Sequence, residues 1–253
     1  MPVHVVPLVR LRRSPRAAWD WLVGAYALAR CVREAGAALI VANTVRAALY
    51  AAPAAAWAGR PFAWHMHDFW LSEGPPRWPW ADAMGKRLLS ARAAAVLAIS
   101  RAVANHLPCP TKVTVVYDGI EIERFDPGLD GAPFRHAWGI PPAVPLVGMV
   151  GRLRPWKGQE RFLRAMIRVA EAIPQAHAVV VGGAILEDAD GYEQRLRELA
   201  RSLGLADRVV FTGHLDDVRP ALAALDVFVH PGDPEPFGSV SYTHLTLPTI
   251  YSV

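Results

Sequence analysis

Cysteine is scarce: Cys31 and Cys109 are the two in a chain of 253 residues. Two thiols cannot build the disulfide framework of a small secreted domain. No apolar stretch with a cleavage site follows Met1, so the expected setting is a reducing cytoplasm. Long apolar runs are lacking as well. The alanine-rich stretch Ala47 to Ala58 is short and weakly apolar, which excludes a membrane-spanning helix there. A Walker A motif is missing, because no Gly-Lys-Ser/Thr follows four residues after a first glycine. Metal ligands are sparse: His65 and His67 alternate on one strand face without a third ligand nearby, a weak zinc signal, and His65 reads as a core histidine. Asp188-Ala189-Asp190 opens a helix, where carboxylates cap free amides and oppose the dipole. No metal and no cofactor are expected.

Apolar residues make up 53% of the chain, enough for a buried core in one large or two modest domains. Net charge is +4 with a pI near 9.3, which suits an acidic ligand. Arginine outweighs lysine, as a GC-rich coding bias would also produce, so charge alone decides little. Arg10, Arg12, Arg13 and Arg16 precede Trp19, Trp21, Leu22 and Tyr26 on an amphipathic pattern. That mix suits contact with an anionic membrane, peripheral to its inner face. The preferred reading is a solvated helix start packed on the core through its aromatics, since tryptophans at helical spacing are usually core. Basic and aromatic residues do not interleave elsewhere, so no nucleic-acid partner is expected.

Periodicity predicts a helix from Pro15 to Ala35, stopped at Gly36. A strand in "AALIVAN", a helix bent or interrupted at Pro53 and a strand "PFAWHMH" follow. After a proline-rich loop come a helix from Trp80 to Ala93, a strand to Ile99, a short helix capped by Ser100 and the strand "KVTVVY". Asp118-Gly119 ends it in a turn with a residue able to take positive φ. A hinge is placed near Pro141-Pro142, giving domains 1–142 and 143–239. The second begins with a strand from Pro145 to Val150 and continues through three further strands alternating with helices, ending at His230. Alternation of this kind makes parallel, doubly wound α/β sheets, here two Rossmann-like halves.

Between the strand Pro145–Val150 and the amphipathic segment Gln159–Ala172 lies Gly151-Arg152-Leu153-Arg154-Pro155-Trp156-Lys157-Gly158. A glycine-punctuated loop with two spaced cations before a helix N-terminus makes an anion site. Arg152 can grip phosphate oxygens bidentately, while Lys157 is a compact point charge. A diphosphate is the expected ligand; a solvated basic turn is the alternative.

This loop, taken with Pro231-Gly232-Asp233-Pro234-Glu235-Pro236-Phe237-Gly238, resembles the C-terminal half of glycosyltransferase family 4, retaining enzymes of the GT-B architecture. "AVLAISRAVANHL" and "KVTVVYDGIEIERF" resemble the end of that family's N-domain, with Asp118 where Asn is commoner. The likeness covers about residues 37–239. It implies that Arg152, Lys157, Gly151 and Gly158 hold the diphosphate of a nucleotide-sugar donor. It implies that Glu235, with Phe237 and Gly238 of the ExFG turn, reaches the donor sugar. His67 in "WHMHDFW" matches a histidine beside the anomeric carbon, so His67 and Glu235 are the candidate catalytic pair. Phe69 and Trp70 would shape or cap an acceptor cleft. The function implied is sugar transfer to a glycan, lipid or small-molecule acceptor. A 2-epimerase of the same shape and a non-catalytic nucleotide-sugar-binding remnant are the alternatives.

Both halves are expected to be incomplete. The family's first strand and glycine-rich loop have no match before "VHVVPLVRLRR", so Met1 is expected to lie inside a longer gene product. A second Glu, eight positions after Glu235, is Thr243 here. From Val240, "VSYTHLTLPT" resembles a translated transposase adapter, so residues 240–253 are expected to be an artefactual tail. The 253-residue chain alone is expected to show no transfer.

Overall fold

The computed structural model describes residues 5–6, 16–71, 76–108, 112–119, 121, 124–126, 128–183, 191–233 and 235–237. Arg10, Arg12, Arg13, Cys109, Asp188, Asp190, Gly238 and the tail from Val240 lie outside them. The chain divides into two compact units, Met1–Asp118 and Gly119–Val253.

In the first unit, α1 (Ala17–Glu34) leads to β1 (Ile40–Ala42), α2 (Val45–Ala58) to β2 (Phe62–Met66), α3 (Pro79–Arg92) to β3 (Ala95–Ala98), and α4 (Arg101–Asn105) to β4 (Val113–Val115). The four strands are parallel in the order β1-β2-β3-β4. Thr44 caps α2 by accepting from the Ala47 amide at 3.0 Å, and Gly59 closes it in the left-handed region. Ser100 caps α4 as predicted, its Oγ accepting from the Val103 amide at 3.1 Å. Pro53 sits inside α2 without ending it. Trp64 and Tyr50 are fully buried in this unit.

Helix α1 departs from expectation. Trp19 is 68% exposed and Tyr26 55%, with Leu22 and Val23 also exposed, while the buried face is made of Gly24, Ala25, Ala29 and Val32. Small residues let α1 approach α2 closely and leave the bulky side chains outside. Of the aromatics, Trp21 is tied inward, its indole N–H donating to the Leu49 carbonyl at 3.1 Å. No described helix is long and apolar enough to cross a membrane.

The second unit carries α5 (Ala132–Ala137), β5 (Leu146–Val150), a 3-10 turn (Pro155–Lys157), α6 (Gln159–Ala172), β6 (His177–Val181), α7 (Tyr192–Ser202), β7 (Val209–Gly213), α8 (Arg219–Ala224) and β8 (Val227–Phe228). All strands are parallel, in the order β7-β6-β5-β8. One core packs α6 and α7 on the sheet through Phe162, Leu163, Met166 and Leu196. A second packs Phe134, Ile140, Ala221 and Leu222 on the opposite face. Helices on both faces make this half doubly wound.

The division falls after Asp118, ahead of the hinge expected at Pro141-Pro142. Its physical reason is Arg135 on α5. The guanidinium is buried and donates to the carbonyls of Ala224 (2.8 Å), Val144 (2.8 Å), Pro141 (3.3 Å) and Pro142 (3.4 Å), and to Asp226 (2.9 Å). Residues 128–142 are thereby tied to α8 and β8. Gly119, able to take positive φ, does not adopt it.

Candidate active site

In the second sheet the chain runs β5, β6, β7 to one side and then returns to place β8 on the other flank of β5. The carboxyl ends of β5 and β8 therefore border a topological switch point, where open α/β sheets bind ligands. The loop after β5 is residues 151–158, and the segment after β8 runs to Phe237.

Backbone packing holds the first loop. The amide of Gly151 donates to the Val181 carbonyl (2.9 Å), and that of Leu153 to Gly183 (3.2 Å). Gln159 is fully buried and its amide nitrogen donates to the Arg152 carbonyl at 2.9 Å. Gly158 has φ +79°, and a Cβ there would lie 2.3 Å from the Pro231 carbonyl oxygen. Gly182, at φ +137°, would place a Cβ 2.0 Å from the Gly151 oxygen. Only hydrogen fits at these positions. The second segment is bound to the first: the Asp233 amide donates to the Trp156 carbonyl at 2.8 Å, and Arg161 donates to the Pro231 carbonyl (3.0 Å) and pairs with Asp233.

These constraints bring Lys157 and Glu235 together. The Lys157 ammonium donates to Glu235 Oε1, and both side chains are largely buried. His230 Nε2 lies 3.4 Å from the same oxygen. Lys157 also stands over the Trp156 ring at 4.5 Å, a cation–π contact. Burial alone would push the Glu235 carboxyl up, but hydrogen bonds from His230 and Lys157 and their charges outweigh it and hold it below the usual carboxylate range. A depressed pKa means that this carboxylate contributes stability above the ordinary range and loses it as pH falls through the lowered value.

Arg152 is exposed, and its guanidinium has no partner among the described residues. The first turn of α6 has Gly158 as N-cap and no side-chain cap. An exposed guanidinium, a lysine and uncapped amides at a 14-residue helix are the elements of an anion site. His230, Gln159 and Arg161 escaped the sequence reading. His230 closes the β8 pattern "DVFVHPG", where its place at a strand end was a usable signal.

Glycine at 158 is the sharpest local test. Gly158→Ala is expected to cost more than about 2 kcal/mol, from left-handed backbone strain plus the clash with a backbone carbonyl. Gly151→Ala meets only the Lys157 side chain, at 3.7 Å, and should fold normally. Thermal unfolding of the two variants side by side checks this, and equal midpoints would refute it.

In the first unit, His67 follows β2 and Asp118 follows β4. His67 Nε2 is 3.2 Å from His65 Nδ1, and His67 Nδ1 is 3.9 Å from Asp118 Oδ2. His65 is thus a partner of His67, where sequence reading made it a core residue. Burial, then the neighbouring His67 ring, push the His65 pKa below the usual histidine value, against the pull of Asp118. Phe69 is buried and packs on His106 with ring centres 4.7 Å apart, and on Trp70 at 5.6 Å. Among the described residues no three His, Cys, Asp or Glu side chains converge as a metal site.

The chain is 36% identical over 152 residues to the lipopolysaccharide core biosynthesis mannosyltransferase LpsB of Rhizobium meliloti, covering 60% of this chain and 42% of that protein. It is 34% identical over 143 residues to a D-inositol 3-phosphate glycosyltransferase of Mycolicibacterium gilvum, covering 55% and 30%. Anabaena Alr3699/HepE, solved in complex with UDP and glucose, matches with a TM-score of 0.75 and 30% identity, over 87% of this chain and 60% of that one. The chain therefore spans less than two thirds of each of these relatives. Residues 1–124 match the family described as Glycosyltransferase Family 4, and residues 132–245 match Glycosyl transferases group 1. With two parallel α/β units, a cationic loop at the switch point of the second and these two matches in tandem, the chain belongs to the GT-B glycosyltransferases of family 4 and group 1.

Proposed function

We propose that the protein to which this chain belongs transfers a sugar from a nucleotide-diphosphate sugar to a hydroxyl acceptor with retention at the anomeric carbon. The observation that carries the reading is made at the switch point: Lys157 is bound to Glu235, the same loop carries Arg152, which is exposed and has no partner among the described residues, and α6 starts without a side-chain cap. The UDP and glucose bound by the HepE relative support a donor of this class.

In this reading the bond between C1 and the phosphate oxygen breaks and its electron pair leaves with the nucleotide diphosphate. Arg152, Lys157 and the α6 amides stabilise the charge that develops there, without a metal. The acceptor oxygen bonds C1 from the same face, and its proton passes to the departing phosphate. Glu235, with Phe237 and Gly238 in its turn, holds donor-sugar hydroxyls. His67 takes the hydrogen-bonding role that the family resemblance implies.

The experiment is calorimetric titration of this chain with nucleoside diphosphates and monophosphates in matched UDP/UMP, GDP/GMP and ADP/AMP pairs. The second phosphate meets charged donors, each worth about 1.5–3 kcal/mol. At least one pair should therefore favour the diphosphate by about tenfold or more. Equal affinities within every pair would reject the diphosphate site.

A further inference from the structure

Three groups in the first unit form a line, of which the function above uses His67 but neither neighbour: His65 at the end of β2, His67 just beyond it and Asp118 after β4. His65 Nε2 is buried and has no hydrogen-bond partner. A proton on that nitrogen would be an orphaned buried donor, which proteins avoid more strongly than an under-used acceptor. Neutral His65 therefore carries its proton on Nδ1. That nitrogen is 3.2 Å from His67 Nε2, which must then accept. A neutral His67 whose Nε2 accepts holds its own proton on Nδ1, the nitrogen that faces the Asp118 carboxylate at 3.9 Å. Each polarity agrees with the next: His65 Nδ1–H to His67 Nε2, and His67 Nδ1–H toward Asp118.

We propose that His65 is a positioning residue that fixes His67 as the neutral Nδ1–H tautomer, so that His67 and Asp118 present one donor and one acceptor to a ligand hydroxyl. The gap of 3.9 Å between them is too long for a direct hydrogen bond. It leaves both groups capacity for a hydroxyl, which donates to the carboxylate and accepts from the imidazole. The identity of that hydroxyl as part of a sugar rests on the proposed transfer. The tautomer does not, because its origin lies in the burial of His65.

The test is nitrogen-15 NMR of the imidazoles in the 253-residue chain, with His67 assigned by the signals lost in His67→Gln. His67 is expected as the Nδ1–H form in the unmodified protein at neutral pH. His65→Asn keeps an N–H near the Nδ1 position and should preserve that form. His65→Leu removes the donor and should shift His67 toward the Nε2–H form that free imidazole favours. An Nε2–H tautomer in the unmodified chain overturns the proposal even if His65→Leu fails to fold, as does an unchanged tautomer in a folded His65→Leu. Stoichiometric zinc that shifts both facing nitrogens also overturns it, since the pair is then a chelate. Nucleotide titrations report on the other unit, so failure here and failure of the diphosphate reading are separate results.

Discussion

Lys157→Ala is expected to weaken binding of the preferred nucleoside diphosphate by about 10- to 150-fold, the equivalent of one charge-assisted phosphate contact of about 1.5–3 kcal/mol. The pairing of Lys157 with Glu235 makes the result informative in a second way. The free protein holds the lysine against a carboxylate, so a phosphate must compete for that ammonium. Glu235→Gln removes the competing charge while leaving Lys157 in place. It should bind the bare diphosphate as tightly as the unmodified chain or more tightly, and Lys157→Ala should bind it far less well. Loss of diphosphate affinity in Glu235→Gln comparable with that in Lys157→Ala would mean that the pair supports the loop rather than the ligand. Calorimetry on folded variants checks both arms. Lys157→Ala also leaves Glu235 with His230 as its remaining partner, so a modest loss of stability is expected beside the loss of affinity.

The largest effect on stability is expected at Arg135. Its guanidinium joins α5 to the end of α8, to the approach of β5 and to Asp226, whose Oδ2 also accepts from the Leu146 amide at 2.7 Å. Arg135→Met keeps much of the aliphatic stem but strands several carbonyl oxygens at once. Removing one partner of a buried, hydrogen-bonded charge costs about 3–5 kcal/mol. In a unit of this size that corresponds to a fall in Tm of roughly 10 °C or more. Asp226→Asn, which retains an oxygen for the Leu146 amide, should cost clearly less. Circular dichroism melts of both variants check the order, and a Met variant within 2 °C, roughly the effect of 0.5 kcal/mol, would show that the network contributes little.

Secondary structure was legible because the signals were local. The apolar runs that became β5 and β6, the cap at Ser100, and the strong amphipathic pattern of α6 can each be read within a few residues. The cationic loop was legible for the same reason: Gly151, Arg152, Lys157 and Gly158 lie within eight positions of one another. Composition and periodicity thus determined an alternating α/β chain with a glycine-punctuated cationic loop before a helix. They did not determine which side of α1 faces inward. Trp19 and Tyr26 looked like core by periodicity, but close packing of α1 on α2 selected the alanine and glycine face.

Other features depend on contacts far apart in sequence, which no local pattern encodes. The division after Asp118 rests on Arg135 reaching Ala224 and Asp226. Lys157 meets Glu235 because β8 returns to the flank of β5, and His230 joins them because β8 ends there. His65 changes from a core histidine to the partner of His67 because its Nε2 is sealed without a partner while its Nδ1 is not. The residue types and strand ends were present in the sequence, but hydrogen-bond partners and burial are properties of atoms brought together by the sheet, and only the tertiary structure decided them.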